Sequence, residues 1–251
     1  MASLKQLLSC IGQSGHPLSV VKDFFGYHDS SGNAFVPAPP ANPSSPNFTK
    51  VSVLDQVKLL QGTHFHLNII LVGHELFAAT DWGKICFAIH MMRYIYGKVG
   101  LGVGRVHWGS ISAAEAGALV TPDSAADCTE LTNGWSAEPD GMDLFVCTDM
   151  RFAGRTGQPW ANNPNNYNPG HTCDKDSNKH NTGSVANLSY GEQYVGNTFA
   201  HEIGHYFGLG HIEDEPDNFI GGEDGASNSS TGIHSFQGDF MKLHCFMVGG
   251  C

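Results

Sequence analysis

The sequence predicts an α+β fold in which a mixed, twisted sheet packs on two main helices. Two observations carry this. Strand-like and helix-like segments follow in the order strand, helix, strand, strand, strand, helix, and long Gly-, Asn- and Ser-rich stretches separate them. PAPPANPSSP at 37–46 is the one Pro-rich break, extended and linker-like. It sets an N-terminal extension, 1–48, apart from a domain over 49–251. FHLNIILVG (65–73) is a short apolar run bounded by glycine, the pattern of a buried strand. TDWGKICFAIHMMRYIYG (80–97) repeats Ile85, Ile89, Met92 and Tyr96 at helical spacing, and Thr80 or Asp81 can cap its start. GRVHWGSIS (104–112) and DLFVCTDM (143–150) are further strands, 151–182 is a long loop, and GSVANLS (183–189) is a last short strand. Ser189 and Glu192 have capping-box spacing, so the second helix is expected to begin there, with Val195, Phe199 and Ile203 as its buried stripe.

The formal net charge of -11 speaks against nucleic acid as a partner, because phosphate binding needs clustered Lys and Arg. Apolar runs such as IILV (69–72) are too short to span a membrane. MASLKQLLSCIGQSG lacks the sustained apolar stretch of a secretion leader. The seven cysteines form no CxxC pair, which excludes a cysteine zinc knuckle, and their scatter fits a secreted, extracellular monomer with a few disulfide staples.

Function is written most densely in HEIGHYFGLGH (201–211). His201 and His205 lie one helical turn apart and point the same way, at a spacing that lets two imidazoles reach one metal ion. Glu202 sits one residue along, beside the ion but poorly placed to ligate with both histidines, where a general base belongs. Gly208 can adopt the left-handed conformation that ends a helix, so the chain can turn and bring His211 back to the same ion. Three imidazoles with a fourth position open describe a catalytic zinc centre and not a structural one. Gly204, unfavourable inside a helix, signals close approach by another segment. Asp174, Asp176 and Asn178 echo the first oxygen positions of a calcium loop, but Lys179 stands where the glycine belongs; Ca2+ there is the weaker expectation. Glu213, Asp214, Glu215 and Asp217 follow the third histidine directly and would bias a cleft toward basic substrates.

HEIGHYFGLGH resembles the signature of the metzincin zinc peptidases, HExxHxxGxxH, at every defined position. The resemblance covers roughly residues 50–251 and implies an upper subdomain to about 208 and a small C-terminal subdomain, 209–251, below the zinc. It implies His201, His205 and His211 as zinc ligands, and hydrolysis of protein or peptide substrates by a zinc-activated water with Glu202 as general base. It further implies a methionine turn beneath the metal, at Met241 or alternatively Met247. The substrate is expected to add as a strand to an edge formed by Gly183, Ser184, Val185, Ala186 and Asn187. The rival expectation from a different class is a toxin or binding component with a vestigial zinc centre.

Overall fold

The computed structural model describes residues 53–137, 141–150, 154–156, 183–221 and 230–249. The N-terminal extension, the calcium-loop residues Asp174, Asp176 and Asn178, and most of the 151–182 loop lie outside the described residues.

Five strands form one sheet: β1 (His64–Val72), β2 (Gly102–Ile111), β3 (Met142–Cys147), β4 (Gly154–Thr156) and β5 (Ser184–Asn187), in the order β2-β1-β3-β5-β4. The first three and β5 run parallel, and β4 alone is antiparallel, paired to β5. Parallel neighbours need a crossover connection, which the long helices supply. All nine residues of β1 are buried, as expected of a central parallel strand covered on both faces. Its odd-numbered residues Phe65, Leu67, Ile69 and Leu71 join the main core, while Ile70 and Val72 face a second one.

The main core lies between the sheet and helices α2 (Ala79–Gly97) and α5 (Glu192–Tyr206), the two helices expected from the sequence. In α2 the apolar surface runs well beyond the predicted stripe: Cys86, Phe87, Ala88, Met91 and Ile95 are also buried. A helix apolar on most sides is one packed on most sides, here by the sheet and α5. Its start is fixed by Asp81, whose carboxylate accepts from the Ala78 N–H at 2.9 Å; Ala78 itself is the N-cap.

The opposite sheet face carries the second core, covered by two helices that the sequence does not announce. Helices α3 (Ala113–Ala116) and α4 (Ala125–Gly134) cover it with Ala116, Cys128 and Leu131, against Ile70, Val72, Phe145, Cys147 and Val185. The result is a three-layered arrangement, helices on both faces of the mixed sheet. Helix α1 (Val53–Lys58) precedes β1, and α6 (Ser235–Met241) lies in the C-terminal part. Among the described residues no helix is long and apolar enough to cross a membrane.

Three expectations change. Residues 154–156 within the supposed loop form β4, and because β4 pairs with Ser184, Val185 and Ala186, β5 is flanked on both sides and is not the sheet edge. Helix α5 begins at Glu192 with Gly191 as its N-cap; the Ser189 hydroxyl instead lies 2.7 Å from both the Asp149 carboxylate and the Asn187 amide oxygen. Asn187, which opens the Asn-x-Ser sequence 187–189, is 1% exposed and committed to that turn.

Candidate metal centre

Helix α5 crosses the main core with Val195, Phe199 and Ile203 buried on its sheet side, which fixes its rotation. Two buried hydroxyls tie its carbonyls to neighbouring elements. Tyr96 of α2 donates to the Ala200 carbonyl at 2.7 Å, and Ser184 of β5 donates to the Glu202 carbonyl at 3.0 Å. The turn carrying His201 and Glu202 is thereby held from both sides, and both residues are buried.

The helix ends as the sequence predicts. Gly208 has φ +94°, its N–H bonds the His205 carbonyl at 2.9 Å, and the Leu209 N–H bonds the Gly204 carbonyl at 3.0 Å. That pair of bonds is a Schellman motif, which satisfies the last carbonyls and reverses the chain. His211 returns on the far side of the bend, exposed, with its ring facing the other two.

The three Nε2 atoms converge. His201 and His205 are 2.9 Å apart, His205 and His211 3.0 Å, and His201 and His211 3.1 Å. Nitrogens bound at about 2.0–2.1 Å to one tetrahedral ion lie about 3.3 Å from each other, so the set is spaced for zinc with a slight expansion. Protonation makes the same point. The Nδ1 of His201 faces the Phe219 carbonyl at 3.0 Å and that of His205 faces the Leu209 carbonyl at 2.8 Å. A ring nitrogen against a carbonyl must carry the proton. In the neutral rings both Nε2 atoms are then bare lone pairs, which cannot hydrogen-bond to each other at 2.9 Å and call for a shared cation. Burial pushes His201 down to about 4; the Phe219 carbonyl opposes that shift and the charge of His211 adds to it. The ring is therefore neutral, the form that ligates a metal, at any pH near neutrality. Among the described residues this is the one group of three or more His, Cys, Asp or Glu side chains placed to hold a metal.

Glu202 lies on the same turn, next to His201, and its negative charge reaches Tyr194 higher on the helix. That phenol is pushed up by burial, by Tyr190 and by Glu202. Of the two methionines, Met241 ends α6 fully buried in the main core, and Met247 is partly buried, its N–H bonded to the His244 carbonyl at 3.0 Å. The carbonyls of Phe219 and Leu209 escaped the sequence reading, because any residue supplies one. Gly204 was the one available signal: a Cβ there would meet the Phe219 ring at 2.8 Å.

The model of a reprolysin-like metallopeptidase family, M12B, matches residues 111–212, from the end of β2 to one residue past His211. No curated protein matches the chain significantly in sequence. Among solved structures, metalloproteinase-II from Bacteroides fragilis is 11% identical with a TM-score of 0.48, over 94% of this chain and 60% of that one. Archaemetzincin from Methanopyrus kandleri is 12% identical with a TM-score of 0.42, over 71% of this chain and 94% of that one. The chain thus spans little more than half the length of the Bacteroides protein. The family match and the histidine geometry, and not these distant likenesses, carry the reading: three imidazoles spaced for one ion lie within the matched segment, which fits a metzincin-like zinc metallopeptidase.

Proposed function

We propose that the protein is an endopeptidase that hydrolyses peptide bonds at this centre, with Glu202 as general base. The supporting observation is the convergence of His201, His205 and His211 with a buried carboxylate on the same helical turn. His201, His205 and His211 would hold a zinc ion, which would supply Lewis-acid polarisation and acidify the attacking water. Glu202 accepts the proton of the attacking water and returns it to the departing amine. The bonds from Ser184 and Tyr96 to the flanking helix carbonyls keep that carboxylate and the His201 ring in register.

With β5 enclosed, the strand that can receive an extended substrate is the last in the sheet order, Gly154–Thr156. The enzyme is proposed to act as a secreted monomer. Cys86, Cys128 and Cys147 are buried thiols inside the cores.

The test is Glu202→Ala assayed on a peptide library beside the wild type, with and without chelator. Zinc content should be unchanged and cleavage should fall by about 10²–10⁴, the usual contribution of general acid–base catalysis. Normal turnover by the variant, or wild-type turnover indifferent to chelator, would sink the mechanism.

A further inference from the structure

We infer that Asn218 and Gln237 are positioning residues of the metal centre: their reciprocal amide pair fixes the Phe219 carbonyl that aims His201. The inference rests on the zinc-site reading above and adds residues to it.

Two of the three imidazoles are aimed by main-chain carbonyls, and the two carbonyls are held very differently. Leu209 belongs to the Schellman end of α5, so the helix that carries His205 also fixes the acceptor for its ring. Phe219 belongs to an excursion over residues 212–221 with no helix and no strand beyond single bridges. Its main-chain N–H bonds the Gly232 carbonyl at 2.8 Å, but the direction of its own carbonyl depends on the residues on either side.

Those flanking residues carry main-chain bonds of their own, Asn218 N–H to the Glu215 carbonyl at 2.9 Å and the Ile212 N–H to the Ile220 carbonyl at 3.1 Å, and one side chain ties them to each other and to α6. The Asn218 amide oxygen accepts the Ile220 N–H at 3.1 Å, closing a small turn around Phe219. The same oxygen accepts from Gln237 Nε2 at 3.2 Å, and Asn218 Nδ2 donates back to Gln237 Oε1 at 3.1 Å. Gln237 Oε1 also accepts the His234 N–H at 2.8 Å, where α6 begins. Both amides are nearly inaccessible, Asn218 at 2% and Gln237 at 1%. A buried amide pair with its groups matched permits one register, since a slip leaves donors and acceptors unpaired. The turn holding the His201 acceptor is thus clasped to α6, far from the metal ligands in sequence. The exposed contact between Glu215 and His234 joins the same two elements from outside, and the Glu215 carboxylate also accepts from Asn218 Nδ2 at 3.3 Å, which backs the amide pair without touching Phe219 itself.

Orienting partners of this kind raise metal affinity about 10–100-fold. A purely structural role would loosen the whole C-terminal subdomain; a positioning role acts on His201 and spares His205. Gln237→Asn keeps a buried amide but shortens it by one methylene, which opens the clasp. His234→Ala deletes the exposed contact between the same two elements and leaves the amide pair and the Asn218 turn in place.

The experiment measures zinc affinity by chelator competition and, in zinc-free protein near neutral pH, the tautomers of His201 and His205 by long-range proton–nitrogen NMR. For Gln237→Asn the expected result is zinc binding weakened about 10–100-fold, with the His201 signal shifted from the Nδ1–H form and the His205 signal unmoved. His234→Ala should leave both at their wild-type values. Wild-type zinc binding by Gln237→Asn, equal shifts in both histidines, or the same loss of zinc binding in His234→Ala would overturn the inference. Failure of the wild type itself to bind zinc would overturn the metal-site reading instead, while the tautomer measurement would still report on the clasp.

Discussion

Replacing Gly204 by alanine sets two effects of opposite sign against each other at the metal centre. Alanine is favoured over glycine in a helix interior by about 1 kcal/mol. At this position, however, the new Cβ would lie 2.8 Å from Phe219 Cε2 and 3.0 Å from Ile220 Cδ1. Carbon atoms in contact settle at about 3.5–4.0 Å, so Phe219 must retreat by roughly 0.7 Å. It has little room, because its ring is fully buried and meets the Tyr96 ring edge-on at 5.8 Å between centroids. Overpacking of this kind costs about 1–3 kcal/mol, and the net loss of stability is therefore about 0–2 kcal/mol. The larger effect falls on the metal. The same retreat would carry the Phe219 carbonyl from 3.0 Å to as much as roughly 3.7 Å from His201 Nδ1, beyond a useful hydrogen bond. Zinc affinity should then drop by about 10–100-fold, out of proportion to the stability change. Urea denaturation of the zinc-free protein and chelator competition measure the two quantities separately. A variant more stable than wild type with unchanged zinc affinity would refute the reasoning, since Phe219 would then be free to move without consequence.

Two further outcomes follow from single contacts. Because burial depresses His201 to about 4, its neutral ring contributes stability that is fully present above the unfolded value of about 6.5 and lost as pH falls from there toward 4. Denaturation of the zinc-free protein at pH 7.5 and 4.5 should show a loss of about 2–3 kcal/mol, which His201→Gln removes. Tyr96→Phe deletes the 2.7 Å bond to the Ala200 carbonyl while keeping the ring; thermal melting should show a loss of about 0.5–1.5 kcal/mol, with zinc binding retained.

What could be read from the sequence, and what could not, divides along physical lines. Strands β1, β2, β3 and β5, helices α2 and α5, and the bend at Gly208 follow from apolar runs, 3.6-residue spacing and the backbone freedom of glycine, all properties of single residues. The ligand set was legible for the same reason. Helices α3 and α4 were not, although Ser112 and Ser124 each accept from the N–H three residues on. Such capping is a local signal, and only Cys128, Leu131 and Thr132 of α4 are buried, too sparse a stripe to outweigh its polar surroundings. The position of β5 in the sheet was misjudged because pairing is made by backbone groups. The partner strand, Gly-Arg-Thr, carries no apolar alternation to announce it. Main-chain acceptors such as Phe219 are invisible for the same reason, and surface only where a glycine marks the contact.

The unequal burial of the three ligands leads to one more expectation. His201 and His205 are less than a tenth exposed, are aimed by carbonyls and belong to the packed helix, whereas His211 is exposed on the chain beyond the bend. Removing a buried ring leaves a hole and strands a carbonyl acceptor, so ligand loss and fold loss are mixed at the first two positions. At His211 they separate. His211→Ala removes one of three nitrogens without emptying any core, and surface changes of that sort move stability by about 0.5 kcal/mol or less. Zinc-free wild type and variant should therefore unfold at the same urea concentration, while in the presence of zinc only the wild type should gain the added stability that mass action confers on a bound state. The comparison reads the ligand role of His211 free of any structural one. If the zinc-free variant were destabilised as much as a core truncation, about 2 kcal/mol or more, His211 would be a packing residue and the three-imidazole centre would lose its third member.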